Sequence, residues 1–274
     1  MNQNQFFGKV IFAGAGPGDP ELLTLKAVRY LQNADVVIVD RLVSDHIVHD
    51  HVRPDALILH VGKQCSKGAS TPQALINELL VEYSLQGKLV VRLKGGDVSV
   101  FSNILEELET LIQHNLPYEI IPGITAALGA AAYAGIPLTA RNHSRSVRLL
   151  SFYQSDLFDQ DYWEELAKTR DTLVFYMSSG NLDLIVEKLI ALGIGQDKWI
   201  SVIEQATTPE QRVVTTTIHD YAKNNTGSQW LSPTLVIIGK VAALQEQLQW
   251  LPNSLGKNEY FQPLAKNKKE EARA

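Results

Sequence analysis

Lys9-Val10-Ile11-Phe12-Ala13-Gly14-Ala15-Gly16-Pro17-Gly18-Asp19-Pro20 decides the fold, because an apolar run, a glycine-rich turn and a helix start follow one another without a gap. Val10–Ala13 reads as a buried strand, being short, apolar and closed by glycine. Asp19 suits a helix N-cap, and Pro20 at the first helical position needs no partner for an N–H it lacks. A helix is therefore expected over Pro20–Gln32, with Leu22, Leu23, Leu25, Val28 and Leu31 as its apolar residues. A glycine loop between strand and helix is where α/β proteins bind nucleotide cofactors. This loop is not the dinucleotide fingerprint GxGxxG, since Asp19 replaces its third glycine and Pro17 removes a backbone donor. Asp40 stands where a ribose-binding acid would, but the broken glycine pattern argues against a nicotinamide oxidoreductase.

The same alternation continues through the first half of the chain. Strands are expected at Asp35–Val39, Ala56–Val61, Leu89–Leu93 and Tyr118–Ile121, with helices at Pro72–Leu85 and Asn103–His114, which implies a mostly parallel α/β sheet. The Gly14 loop, Lys94-Gly95-Gly96-Asp97 and Pro122-Gly123-Ile124-Thr125 each follow a strand, so all three fall at the carboxyl edge where open α/β sheets bind ligands. Ala126–Ala134 is a run of small residues that admits a close backbone or ligand, and dense helix–sheet packing accounts for it equally well.

Beyond Gly135-Ile136-Pro137-Leu138 the chain turns polar and basic, which places a boundary there. The expected domains are 8–138 and 139–251, followed by a disordered polar tail over 252–274. The second domain reads as a smaller α/β unit. Its strands are expected at Ser146–Phe152, Thr172–Tyr176, Trp199–Ile203, Gln211–Thr217 and Thr234–Ile238, and its helices at Tyr162–Lys168, Leu182–Leu192 and Ile218–Asn224. Val213–Thr217 is β-branched throughout, which suits an antiparallel strand.

Composition narrows the function. With 274 residues, 45% of them hydrophobic, the chain can bury a sizeable core. A net charge of −5 argues against a nucleic-acid surface, and the absence of a long apolar run or a leader pattern argues against membrane insertion and secretion, so a cytoplasmic location is expected. The single cysteine, Cys65, forms no internal disulfide and reads as an incidental thiol. Asp45, His46, His49, Asp50 and His51 invite a metal reading, because His46, His49 and Asp50 would share a helix face. No further ligand group accompanies them in the sequence, and no metal is expected.

Taken in order, Gly14-Ala15-Gly16-Pro17-Gly18-Asp19-Pro20-Glu21-Leu22-Leu23-Thr24, Asp40-Arg41-Leu42-Val43-Ser44, Val61-Gly62-Lys63, Val91-Arg92-Leu93-Lys94-Gly95-Gly96-Asp97, Pro122-Gly123-Ile124-Thr125-Ala126 and Ala134-Gly135-Ile136-Pro137-Leu138-Thr139 resemble the tetrapyrrole methylases. Within that family the chain is most similar to the branch acting on uroporphyrinogen III, and the likeness runs from about Gly8 to Leu251. It extends through Leu173-Val174-Phe175-Tyr176-Met177, Thr207-Thr208-Pro209-Glu210-Gln211-Arg212 and Ser232-Pro233-Thr234.

The resemblance implies two α/β domains with S-adenosylmethionine in a cleft between them, assembled as a homodimer. It implies transfer of methyl groups from that cofactor to two ring carbons of uroporphyrinogen III, giving precorrin-2 for sirohaem or cobalamin. By matching motifs, Pro17, Gly95, Gly96, Asp97, Val100, Thr125, Ala126, Met177 and Ala206 occupy cofactor-lining positions. Asp40 and Lys63 match the proton acceptor and donor. A substrate with eight carboxylates calls for cations, making Arg41, Lys63, Arg92, Arg141 and Arg148 the candidates.

Departures from the family pattern keep two other readings open: a methylase of another tetrapyrrole, and a non-catalytic relative that binds cofactor or tetrapyrrole. Where the family reads Gly-Gly-Asp-Pro and Phe-Gly-Arg-Gly-Gly-Glu-Glu, this chain has Gly95-Gly96-Asp97-Val98 and Phe101-Ser102-Asn103-Ile104-Leu105-Glu106-Glu107. A cation and a flexible glycine loop are lost, and Ile104 and Leu105 favour an ordinary packed helix.

Overall fold

Short apolar runs whose alternate residues point to opposite faces organise the protein, seen in a computed structural model that describes residues 7–64, 69–153, 158–256 and 258–261. Cys65 lies outside the described residues, and for Lys63, Gln64 and Ala69 only the backbone is described. The chain divides into two compact units, with breaks at Thr125/Ala126 and Tyr260/Phe261.

The first unit contains, in chain order, β1 (Lys9–Gly14), α1 (Leu25–Leu31), β2 (Val36–Asp40), α2 (Asp45–His51), β3 (Leu57–Val61), the short hairpin β4 (Lys63–Gln64) and β5 (Ala69–Ser70), α3 (Gln73–Leu85), β6 (Leu89–Lys94), α4 (Leu105–Gln113) and β7 (Tyr118–Ile121). Its five-stranded sheet has the order β3-β2-β6-β1-β7 and is parallel throughout. Ile11, Ala13, Val37, Val39, Val91 and Leu93 face Ala27, Leu31 and Ile47 of α1 and α2. The alternate residues Val10, Phe12, Val36, Ile38 and Val90 face Ile76, Leu80 and Leu111 of α3 and α4. Burial on both faces is what near-continuous apolar strands require.

Two helix expectations change. Pro20–Leu22 is a single 3₁₀ turn capped by Asp19, and α1 starts afresh after Thr24, whose hydroxyl accepts from Ala27 N at 3.2 Å. Two caps in succession break one expected helix into two pieces. The helix expected from Asn103 begins at Leu105, because Phe101 and Asn103 both hold φ of +52°, a left-handed conformation no α-helix accommodates. The left-handed angles fall at Phe101 and Asn103, beside Ser102, Ile104 and Leu105, where family glycines have been replaced.

The second unit contains α5 (Ala126–Ala134), β8 (Val147–Ser151), α6 (Gln160–Lys168), β9 (Thr172–Tyr176), α7 (Leu182–Ala191), β10 (Trp199–Glu204), β11 (Arg212–Thr217), α8 (Ile218–Asn224), β12 (Thr234–Gly239) and α9 (Gln245–Leu248). Its sheet runs β11-β10-β12-β9-β8, parallel only between β8 and β9. The β-branched strand β11 is antiparallel, as its composition implied. Leu166, Ile185, Leu189 and Tyr221 from α6, α7 and α8 cover one face, and α5 covers the other. Ala127, Ala130, Ala131 and Ala134 pack with Val174, Ile203 and Ile237, so residues 126–138 fold with the second sheet and the boundary falls earlier than 138/139.

The polar tail also needs correction at its start. Asn253 exchanges hydrogen bonds with Val213 at 2.8 and 3.0 Å, Ser254 N donates to Gln211 O at 2.9 Å, and Tyr260 N donates to Gln205 Oε1 at 2.7 Å. Hydrogen bonds of this kind, three between side chain and backbone and one between backbones, order a polar segment that composition alone reads as loose. The rest of the tail, 262–274, lies outside the described residues.

At the edge of the first sheet, Glu119 of β7 accepts from Lys26, from Lys9 at 2.5 Å and from Tyr30 at 2.7 Å. The Lys26 contact first, then Lys9 and Tyr30, holds its carboxyl down at about 2 from 4.5. A depressed folded-state value means the cluster contributes in full above pH 4.5 and is lost as pH falls toward 2. Glu119→Gln is accordingly expected to destabilise most near neutrality, with the difference from wild type shrinking steadily below pH 4.5 in urea titrations.

Candidate functional site

Three loops leave the carboxyl ends of β1, β6 and β7 and meet backbone to backbone. A Cβ on Gly14 would lie 2.6 Å from Gly123 Cα and 2.7 Å from Gly96 O, and one on Gly123 would lie 2.3 Å from Gly96 O. Gly16 and Gly96 pair through both N–H groups, at 3.1 and 2.7 Å, with φ of +74° and +68°. Only glycine fits such a junction at low cost. The Gly95-Gly96-Asp97 loop is fastened by Asp97, which accepts from Ser99 N at 2.8 Å and Ser99 Oγ at 2.5 Å on Oδ1, and from Gly123 N at 2.9 Å on Oδ2. Burial pushes its carboxyl up, but the Ser99 and Gly123 bonds outweigh this and hold it low, so it is an anion at neutral pH. Asp97 thus clamps two loops together and spends its carboxylate largely inside the protein.

Beside this junction lies a cluster of buried charges. Period two puts Asp40 of β2 and Arg92 and Lys94 of β6 on the α3/α4 face, and Glu107 enters from the first turn of α4. Arg92 Nε donates to Glu107 Oε2 at 3.1 Å, Arg92 Nη2 to Asp40 Oδ1 at 2.6 Å, and Lys94 Nζ to Glu107 Oε1 at 2.8 Å. Arg92, Lys94 and Glu107 are buried, whereas the Asp40 side chain keeps 26% exposure. Burial acts against the Arg92 charge, and the Asp40 and Glu107 carboxylates more than compensate. Burial pushes the Lys94 ammonium down, with Arg92 adding repulsion. The expectation that Arg92 meets substrate carboxylates is corrected here: at 1% exposure, its guanidinium serves internal carboxylates instead.

Glu107 is the participant that motif reading missed. Its signal was present in the sequence, because Arg92 and Lys94 alternate inside a buried strand and must find a carboxylate.

The remaining candidates are spread across both units. Pro17 and Val100 are half-buried on the first two glycine loops, Thr125 is buried behind the third, and Ala126 opens α5. Arg41 follows Asp40, half-buried, with its Cβ close to where a Cβ on Gly62 would lie. The Lys63 backbone pairs with Ser70, and its side chain lies outside the described part. In the second unit Met177 and Ala206 sit just beyond the ends of β9 and β10, in segments where Met177, Gln205 and Thr207 have φ of +55°, +47° and +65°. Left-handed angles at three non-glycine residues mark a constrained strand edge.

Arg141 and Arg148 are not at that edge. Arg141 is exposed ahead of β8, and Arg148, near the start of β8, is bound to Asp171 at 2.6 Å and to Glu165. Asp171 also helps line a cavity of about 840 Å³ with Arg145, Arg170 and Lys198, on the side of the sheet where β9 and β10 begin. Among the described residues no three His, Cys, Asp or Glu side chains gather as a metal would need, and no helix is long and apolar enough to cross a membrane.

Comparison with known proteins gives a consistent set of relatives. A family model described as tetrapyrrole (corrin/porphyrin) methylases matches residues 9–222. A siroheme synthase of Acinetobacter baylyi is 48% identical over 244 residues, covering 89% of this chain and 53% of that protein. A siroheme synthase of Pseudomonas aeruginosa is 46% identical over 243 residues, covering 89% and 52%. The chain spans about half the length of the curated relatives it matches. Among solved structures, a uroporphyrin-III C-methyl transferase from Thermus thermophilus complexed with S-adenyl homocysteine is 34% identical, covers 86% of this chain and 94% of that one, and superposes with a TM-score of 0.72. A cobalt precorrin-4 methyltransferase is 28% identical over 85% and 95%, with a TM-score of 0.73.

Proposed function

The chain belongs to the tetrapyrrole (corrin/porphyrin) methylases, and on that premise we propose that it methylates uroporphyrinogen III at two ring carbons with S-adenosylmethionine, giving precorrin-2. One observation supports the cofactor class above the others. The three interlocked loops, 14–20, 95–100 and 122–125, contain no lysine or arginine, and their charged residues are Asp19 and Asp97. Such a junction suits a neutral nucleoside carrying a cationic sulfonium and does not suit a pyrophosphate. Pro17, which lacks an N–H, fits the same reading.

S-adenosylmethionine, when bound, supplies a methyl group already activated on sulfur. The chain's own residues then have two tasks: to align an electron-rich ring carbon with that methyl, and to manage the proton that leaves after the carbon–carbon bond forms. Pro17, Gly95, Gly96, Asp97, Val100, Thr125, Ala126, Met177 and Ala206 are proposed to line the cofactor, Asp97 by clamping its loops. Asp40, held at Oδ1 by Arg92 and partly exposed, is proposed as proton acceptor, with Lys63 as donor. Arg41 and Arg141 remain the proposed partners of substrate carboxylates. For Arg148, an existing pair of acidic partners reduces what it has to offer a substrate. The protein is further read as a cytoplasmic homodimer acting on a small molecule, without metal, nucleic acid or membrane.

The test is anaerobic incubation of the purified protein with S-adenosylmethionine and uroporphyrinogen III, following methyl incorporation and the product's absorption spectrum. Incorporation of two methyl groups per tetrapyrrole is expected. Tight cofactor binding without transfer would instead identify a non-catalytic binder, the reading that the altered segment Phe101–Leu105 keeps alive.

A further inference from the structure

A carboxylate taken fully out of water is costly unless paired, and Glu107, at 1% exposure, is paired twice over. It accepts from Arg92 Nε at 3.1 Å and Nη2 at 3.4 Å, and from Lys94 Nζ at 2.8 Å. Arg92 in turn donates through Nη1 to Ile38 O at 3.3 Å and through Nη2 to Asp40 Oδ1 at 2.6 Å. A guanidinium is planar and rigid, so contacts on three of its edges fix its orientation, and with it the direction from which Asp40 is held. Exposure rises along this path, from a side-chain value of 1% at Glu107 through 2% at Arg92 to 26% at Asp40. The path therefore runs from a closed interior to an open carboxylate. Lys94 anchors the other branch, since its carbonyl accepts from Ala15 N at 2.8 Å and its chain leads directly into Gly95-Gly96-Asp97.

We propose that Glu107 is a positioning residue for the methyl transfer: through Arg92 it sets the orientation of the Asp40 carboxylate. The proposal rests on the reading of Asp40 as proton acceptor. Glu107 touches neither substrate nor cofactor on this view; it keeps the acceptor in place. Removing its charge while keeping its shape, as in Glu107→Gln, places an amide donor against Arg92 or Lys94 and breaks the double grip.

Two measurements on the full chain test this. In ¹⁵N NMR the guanidinium signals of Arg92 are expected to move in both Glu107→Gln and Asp40→Asn, since one rigid group joins the two carboxylates. In turnover assays Glu107→Gln is expected to lower kcat by about tenfold, with the cofactor Kd within about twofold of wild type. In an Asp40→Asn background the same change is expected to add nothing, because its effect acts through Asp40. Glu107→Asp, which keeps the charge, should give smaller changes of the same kind and serves if the glutamine variant fails to fold. Arg92 signals unmoved by Asp40→Asn, or equal losses of kcat in both backgrounds, would overturn the proposal. Absence of methyl transfer by the wild type would instead refute the proposed function, and the NMR result would still decide the linkage.

Discussion

Gly123→Ala is expected to abolish tight cofactor binding and to cost about 3 kcal/mol of stability, at or beyond the upper end of ordinary overpacking. The reason is that the new methyl meets backbone on two sides, Gly96 O at 2.3 Å and Gly14 Cα at 2.8 Å, neither of which can rotate away as a side chain would. Separating these loops also pulls Gly123 N from the Asp97 carboxylate, 2.9 Å away, and leaves part of that buried anion unsatisfied. Gly180→Ala is the control, since a Cβ there meets nothing within 4 Å, and its effect should stay within about 0.5 kcal/mol. Urea unfolding and calorimetric titration with S-adenosylhomocysteine measure both consequences. A wild-type Kd in Gly123→Ala would remove the three-loop junction from the cofactor site.

Glu107→Leu is expected to be the most damaging single change in the buried charge cluster, at about 3–5 kcal/mol, because it strands the buried Lys94 and takes one of Arg92's two carboxylates. Arg92 would keep Asp40, but Lys94 has no other carboxylate within the distance of an ion pair among the described residues. Arg92→Leu should cost less, since Glu107 would still be matched by Lys94 at 2.8 Å and Asp40 could turn to water. The ordering is the informative part and can be read from denaturant midpoints of the two variants. Equal losses would mean that cavity and shape, rather than unpaired charge, set the cost.

Glycines and alternating apolar residues made the first unit legible from sequence. Gly14 closes β1, and Gly95-Gly96 and Gly123 come within two residues of the ends of β6 and β7, so a parallel sheet brings them to one edge whatever the details of packing. The β-branched Val213–Thr217 likewise announced an antiparallel strand. The misread segments are those where long-range contacts outweigh local preference. Residues 126–138 follow the first sheet in sequence yet pack on the second, and polar residues 253–260 are ordered by bonds to Val213, Gln211 and Gln205. Phe101 holds a left-handed angle that its side chain disfavours, so no propensity could announce it, whereas Asn103 is of a residue type that tolerates such an angle.

By itself, then, the sequence of this tetrapyrrole methylase determined the alternation of strands and helices, the sheet edge at which its glycine loops meet and its family. Those properties rest on backbone geometry and the spacing of residue types, which are local. Only the tertiary structure decided which charges act on which. It turned Arg92 from an expected substrate contact into a buried link between Asp40 and Glu107, and it made Asp97 a clamp between loops. Electrostatic partnership depends on distance and burial across elements far apart in the chain, and neither quantity is written in any one segment.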